Sequence, residues 1–137
     1  MWPPSIREVH KRYVAVVQGR VDPPQGEIAL ALAADWPNRP HQKVDLLRGK
    51  PSLTRYRTLG FDAARDATRL ELEPVTGRAH QLRVHLLAIG HPILGDALYA
   101  PAEVLVRAER LLLHAASLRF ADPGGGAPMQ FESAAPF

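Results

Sequence analysis

The sequence predicts an α+β domain: a mainly antiparallel, mixed sheet carrying a few helices. Three observations carry that expectation. Short β-branched or alternating runs bounded by Gly- and Pro-rich turns fill the first half, and apolar spacing switches from two to helical after Thr76. An extended apolar pattern then returns at "RLLLHAASLRF". No repeat, low-complexity block or long linker divides the 137 residues, so one domain over 1–137 is expected.

Taken in order, "KRYVAVVQG" (11–19) reads as a strand, "VDPPQG" as a reverse turn and "EIALALAA" as a second strand, together a hairpin. "QKVDLL" and "SLTRYRTLGF" repeat the pattern around "RGKP". "TRLELEP" puts Leu70 and Leu72 on one face, with Arg69, Glu71 and Glu73 on the other. Thr76 is an acceptable N-cap for a helix whose Leu82, Leu86 and Ile89 fall at helical spacing, and Gly90 followed by Pro92 stops it. Pro101 suits the first turn of a second helix, "PAEVLVRAER". "DPGGGAPMQFESAAPF" reads as a Gly-rich turn and a final short strand.

Composition narrows the function classes. Without cysteine there is no disulfide framework or thiolate zinc site, which fits a reducing, cytoplasmic setting. The start "MWPPSIREVHKRY" lacks a secretory signal pattern, and no run approaches the roughly 20 apolar residues of a membrane span. The net charge is only +3, but the pI near 9.7 leans towards anionic partners. Residues 7–20 carry four cations and one anion and residues 35–57 six and two, whereas residues 62–73 carry two and four. A fold that gathers the first two segments would present a basic face to nucleic acid; scattered, they are solvated charge.

Chemistry concentrates in "PVTGRAHQLRVHLLAIGHPILGDALYA" (74–100). Arg83 follows His80 by three residues and lies beside the Leu82 and Leu86 stripe, so its guanidinium is partly buried and needs an anion. Either a carboxylate of this protein or a ligand phosphate would serve. Gly77 leaves room for a ligand near the helix start. His80 and His85, five apart, point to different sides of a helix, so no metal is expected, and His114 reads as a hydrogen-bonded core histidine. No phosphate-binding glycine loop and no nucleophile elbow occurs, which disfavours nucleotide hydrolysis and acyl transfer.

The same 74–100 segment resembles the signature of the RluA-type pseudouridine synthases, without gaps. "KRYVAVVQG" resembles that family's active-site tyrosine segment, "DWPNRPHQK" the loop of its dual-specificity subgroup, and "RLLLHAASLRF" its late strand; the similarity runs in order from about Glu8 to Phe137. The resemblance implies the catalytic-domain fold of these enzymes and conversion of uridine to pseudouridine in rRNA or tRNA stem-loops, without a cofactor. It implies Tyr13 against the uracil and Arg83 paired with a nucleophilic aspartate. Arg78, His80 and Gln81 become candidate RNA contacts at the helix start. Lys11, Arg12, Arg39 and Lys43 become candidate phosphate contacts.

The family's aspartate lies in a His-Arg-Leu-Asp motif upstream of the tyrosine strand, and these residues contain no such motif. "GRVD" (19–22) is a decoy, since two prolines follow it. Asp22, Asp45 and Asp96 belong to other elements, so Arg83 is expected to lack its partner and the chain alone to be inactive, as the C-terminal part of a synthase. A non-catalytic RNA-binding module is the alternative. Trp36 is expected to anchor the core, although an RNA-facing role also suits it. "YVAVV" and "IALALAA" are too apolar to face water, so an uncovered sheet edge and self-association are expected.

Overall fold

The computed structural model describes residues 9–120 and 129–137; the N-terminal segment and the predicted Gly-rich turn fall outside them. Strands β1 (Val9–Gln18), β2 (Gln25–Ala29), β3 (Leu32–Ala34), β4 (Gln42–Val44), β5 (Leu53–Asp62) and β6 (Ala67–Pro74) precede helices α1 (Gln81–Ala88) and α2 (Ala102–Leu105). Strands β7 (Leu113–Phe120) and β8 (Met129–Glu132) follow. Six strands form one sheet in the order β2-β5-β6-β1-β7-β8, and β3 and β4 form a small second sheet. Among the described residues every pairing is antiparallel.

The pairing corrects the expected hairpin. β1 pairs with β6 and β7, and β2 pairs with β5, so "VDPPQG" is a crossover towards the sheet edge. "EIALALAA" divides between β2 and β3. The expected exposed edge at "YVAVV" is also overturned: Ala15, Val16 and Val17 are buried in an interior strand. Apolar content alone made β1 look like an edge in need of cover, whereas two flanking strands from far along the chain cover it. The edge strand β2 exposes every residue but Gly26 and Ile28.

Strand alternation gives the sheet two faces. Ala15 sits opposite Leu70 and Tyr13 opposite Leu72, and this face packs on Leu82, Leu86, Ile93 and Leu94. On the other face Arg12 and Arg57 both bind Glu71 (2.8 and 3.2 Å), and Arg55 bridges Glu27 and Glu73 (2.9 and 3.5 Å). On that face the arginines of β1 and β5 are thus matched by carboxylates of β2 and β6.

α1 starts four residues after the expected point. Its N-cap is His80 in the left-handed region, while the Thr76 hydroxyl bonds Gln81 instead of a helix N–H. It ends as expected at Gly90 (φ +86°), where the His91 and Gly90 N–H groups bond Leu86 and Leu87 carbonyls. α2 is a single turn behind Pro101, shorter than its sequence pattern predicts.

Candidate functional site

A cleft of about 410 Å³ opens where the end of β6 and the start of α1 meet β1. Lys11, Tyr13, Arg78, His80, Gln81 and Arg83, drawn from segments some seventy residues apart, all line it, together with Gly77. Period-two alternation puts Lys11 and Tyr13 on this side. The same alternation turns Arg12, expected beside them, to the opposite face and onto Glu71. Arg39 and Lys43 lie on the 35–44 segment and do not line the cleft.

Arg83 is not unpartnered. Its Nε donates to Asp96 Oδ2 at 3.0 Å and one Nη to Oδ1 at 2.5 Å, a bidentate pair in which Asp96 is 1% exposed. Hydrogen bonding to Asp96 raises the Arg83 pKa. Asp96 Oδ1 also accepts the backbone N–H groups of Leu98 and Tyr99 (3.0 and 3.2 Å). The expectation that no aspartate of these residues reaches Arg83 is therefore corrected, and the intramolecular carboxylate holds. Asp96 is carried by a segment tied to β1, since the Gln18 N–H bonds the Pro92 carbonyl and the Leu94 N–H bonds the Val16 carbonyl (both 3.0 Å). Gly95 precedes it at φ +77°, with the Arg110 backbone where a Cβ would stand. Sequence did hold a signal: between Glu73 and Glu103, Asp96 is the single acid available to a half-buried arginine.

His80 and Tyr99 extend the cluster. The Tyr99 hydroxyl accepts the Gln42 N–H (2.9 Å) and is hydrogen-bonded to His80 Nδ1 (2.6 Å). Burial, then the Arg83 charge, push the His80 pKa down, which favours an uncharged ring on the cleft wall. The Arg83 guanidinium lies 5.2 Å from the Tyr99 ring centroid. Tyr99 is a second member that sequence reading missed.

Gln81 supports the cleft more than it faces a ligand. Its Nε2 donates to the Leu53 carbonyl and Thr54 Oγ1, and its Oε1 accepts from the Thr76 hydroxyl and the Arg78 N–H. Thr54 then donates to His85 Nδ1 (2.8 Å), and His85 Nε2 donates to the Leu30 carbonyl (2.8 Å). This buried chain fixes α1 to β5, and burial pushes the His85 pKa down.

Two further expectations are corrected. Trp36 is 64% exposed and anchors no core, and His114 is partly buried against Ser133 rather than inside. Among the described residues no group of three or more His, Cys, Asp or Glu could hold a metal, and no helix is long and apolar enough to cross a membrane.

Comparison with known proteins agrees with the architecture. Residues 5–88 match a family described as RNA pseudouridylate synthase. The chain is 50% identical over 131 residues to the dual-specificity RNA pseudouridine synthase RluA of Escherichia coli K12, covering 96% of this chain and 59% of that protein. The RluA of Pasteurella multocida is 50% identical over 117 residues, 85% of this chain and 53% of its own length. The chain thus spans little more than half of these relatives. The solved structure of human RNA pseudouridylate synthase domain containing 1 superposes with a TM-score of 0.81 at 33% identity, over 94% of this chain and 56% of that one.

Proposed function

Because the chain belongs to the RNA pseudouridylate synthase family, we propose that its cleft is the uridine site of an RNA pseudouridine synthase acting on rRNA or tRNA stem-loops. One observation carries the reading. Tyr13 and Arg83 share a cleft with Lys11, Arg78 and His80, and Arg83 is already held in place from behind. In this reaction the base leaves its sugar, turns and rejoins through carbon. A uridine in folded RNA must first leave its stack, and Tyr13 offers the extruded uracil an aromatic wall.

Arg83 has five N–H donors, and Asp96 takes two. The rest serve a second carboxylate, the nucleophile, keeping it ionised and oriented. Asp96 is unsuited to that role, since both its oxygens are engaged and it is buried. Asp22 is exposed and does not line the cleft. The nucleophile is therefore supplied to the cleft from elsewhere, and the 137 residues alone form no pseudouridine. Lys11 and Arg78 hold phosphates at the rim.

The test is equilibrium binding of this chain to an RNA stem-loop with a uridine-containing loop. Lys11→Ala with Arg78→Ala should weaken binding and flatten its salt dependence by about two phosphate contacts. An unchanged affinity and salt slope would remove RNA from the cleft. Failure of the parent chain to bind would also reject the alternative of a non-catalytic RNA-binding module.

A further inference from the structure

The 35–50 segment carries a second surface of a different character. Trp36 is 64% exposed, although tryptophan is among the side chains most buried on average, and the Arg39 guanidinium lies 4.9 Å from its ring centroid. Among the described residues, Arg39, Lys43, Arg48 and Lys50 make no ion pair. The segment's two carboxylates are occupied locally: Asp35 accepts from the Asn38 amide, and Asp45 accepts the Leu47 and Arg48 N–H groups. Arg12, Arg55 and Arg57 on the outer sheet face are, by contrast, all matched. Arg39 lies against the exposed indole, and Lys43, Arg48 and Lys50 belong to the same segment, four cations against its two carboxylates.

The indole is mounted rather than dangling. Trp36–Asn38 form a 3-10 turn with a proline in its first positions, closed by the Asp35 N–H to the His41 carbonyl (2.9 Å) and the Asn38 N–H to the Asp35 carbonyl (3.0 Å). The turn is also joined to the cleft. His41 Nε2 bonds the Leu98 carbonyl at 2.9 Å, and its ring stands edge-on to Tyr99, the residue that holds His80.

We propose that Trp36 and Arg39 form a stacking platform for an unpaired nucleobase flanking the nucleotide in the cleft, with Lys43, Arg48 and Lys50 beside its phosphates. This rests on the cleft being an RNA site. Aromatic and guanidinium planes take any base by its face, which a duplex keeps within its own stack, so the platform selects single-stranded loop RNA by shape rather than sequence.

The experiment measures binding of the 137-residue chain to the same stem-loop, intact or with one flanking loop nucleotide made abasic. Trp36→Ala should weaken binding to intact RNA about tenfold, Trp36→Phe should keep most of the affinity, and one abasic RNA should bind parent and Trp36→Ala alike. If Lys11→Ala with Arg78→Ala weakens binding and Trp36→Ala does not, the platform is overturned and the cleft reading stands. If Trp36→Ala weakens every abasic RNA as much as intact RNA, no base stacks there. If the parent chain binds no RNA, both readings fall.

Discussion

Asp96→Ala would remove the carboxylate from a pair in which the aspartate is 1% exposed and the Arg83 side chain 16%. It strands a guanidinium that burial has cut off from most of its water, and it leaves the Leu98 and Tyr99 N–H groups without their acceptor. Breaking one side of a buried pair costs about 3–5 kcal/mol. That is a large share of the roughly 5–15 kcal/mol that hold a domain together. Arg83→Met should cost less, because the carboxylate keeps both backbone donors. The double variant Arg83→Met with Asp96→Ala should recover part of the Asp96→Ala loss, because no unpaired cation remains. Urea unfolding of the four proteins gives the coupling energy directly. An Asp96→Ala loss below about 1 kcal/mol, or additive effects, would refute a structural role for this pair.

Thr54→Val leaves Gln81 Nε2 short of one acceptor and His85 Nδ1 without its donor, and should destabilise by about 1–3 kcal/mol in the same unfolding assay; an isoenergetic variant would mean the buried chain holds nothing. His85 has its folded pKa below its ordinary value of 6.5, so the folded state binds fewer protons than the unfolded chain between those values. Its contribution to stability is therefore complete above about pH 6.5 and falls as pH drops through the folded value. Thermal midpoints of parent and His85→Gln from pH 8 to 5 should converge on acidification, and parallel curves would count against this. Gly95→Ala forces a side chain into the Arg110 backbone and should lower the midpoint sharply; an unchanged midpoint would show that the turn before Asp96 yields freely.

Local pattern was legible where one residue type answers one local need. Leu70 and Leu72 alternate inward on β6, Leu82 and Leu86 face the core from α1, and Gly90 ends the helix in the left-handed conformation it alone adopts without strain. Partnership was not legible, because it depends on which apolar faces meet. β1 takes β6 and β7, some fifty to a hundred residues away, in preference to the strand beyond "VDPPQG". Thr76 has the composition of an N-cap, yet its hydroxyl bonds the Gln81 side chain and the helix starts at His80. Half-burial of Arg83 followed from its place on the apolar stripe. Its partner lies thirteen residues on, beyond a glycine turn that no periodicity describes. Trp36 shows the limit of composition, since a tryptophan reads as core until the turn around it is seen to be already closed by its own backbone.

The most direct measurement is pseudouridine formation in uridine-labelled RNA by this chain alone, and by this chain fused to the portion of the Escherichia coli relative that it does not span. The account predicts no product from the chain alone and product from the fusion. In the fusion, Arg83→Met should depress turnover far more than RNA affinity, because the cation's catalytic partner is a carboxylate and not a phosphate. Product from the 137 residues alone, lost on Asp22→Ala or Asp96→Asn, would contradict the account by showing that the nucleophile was among them.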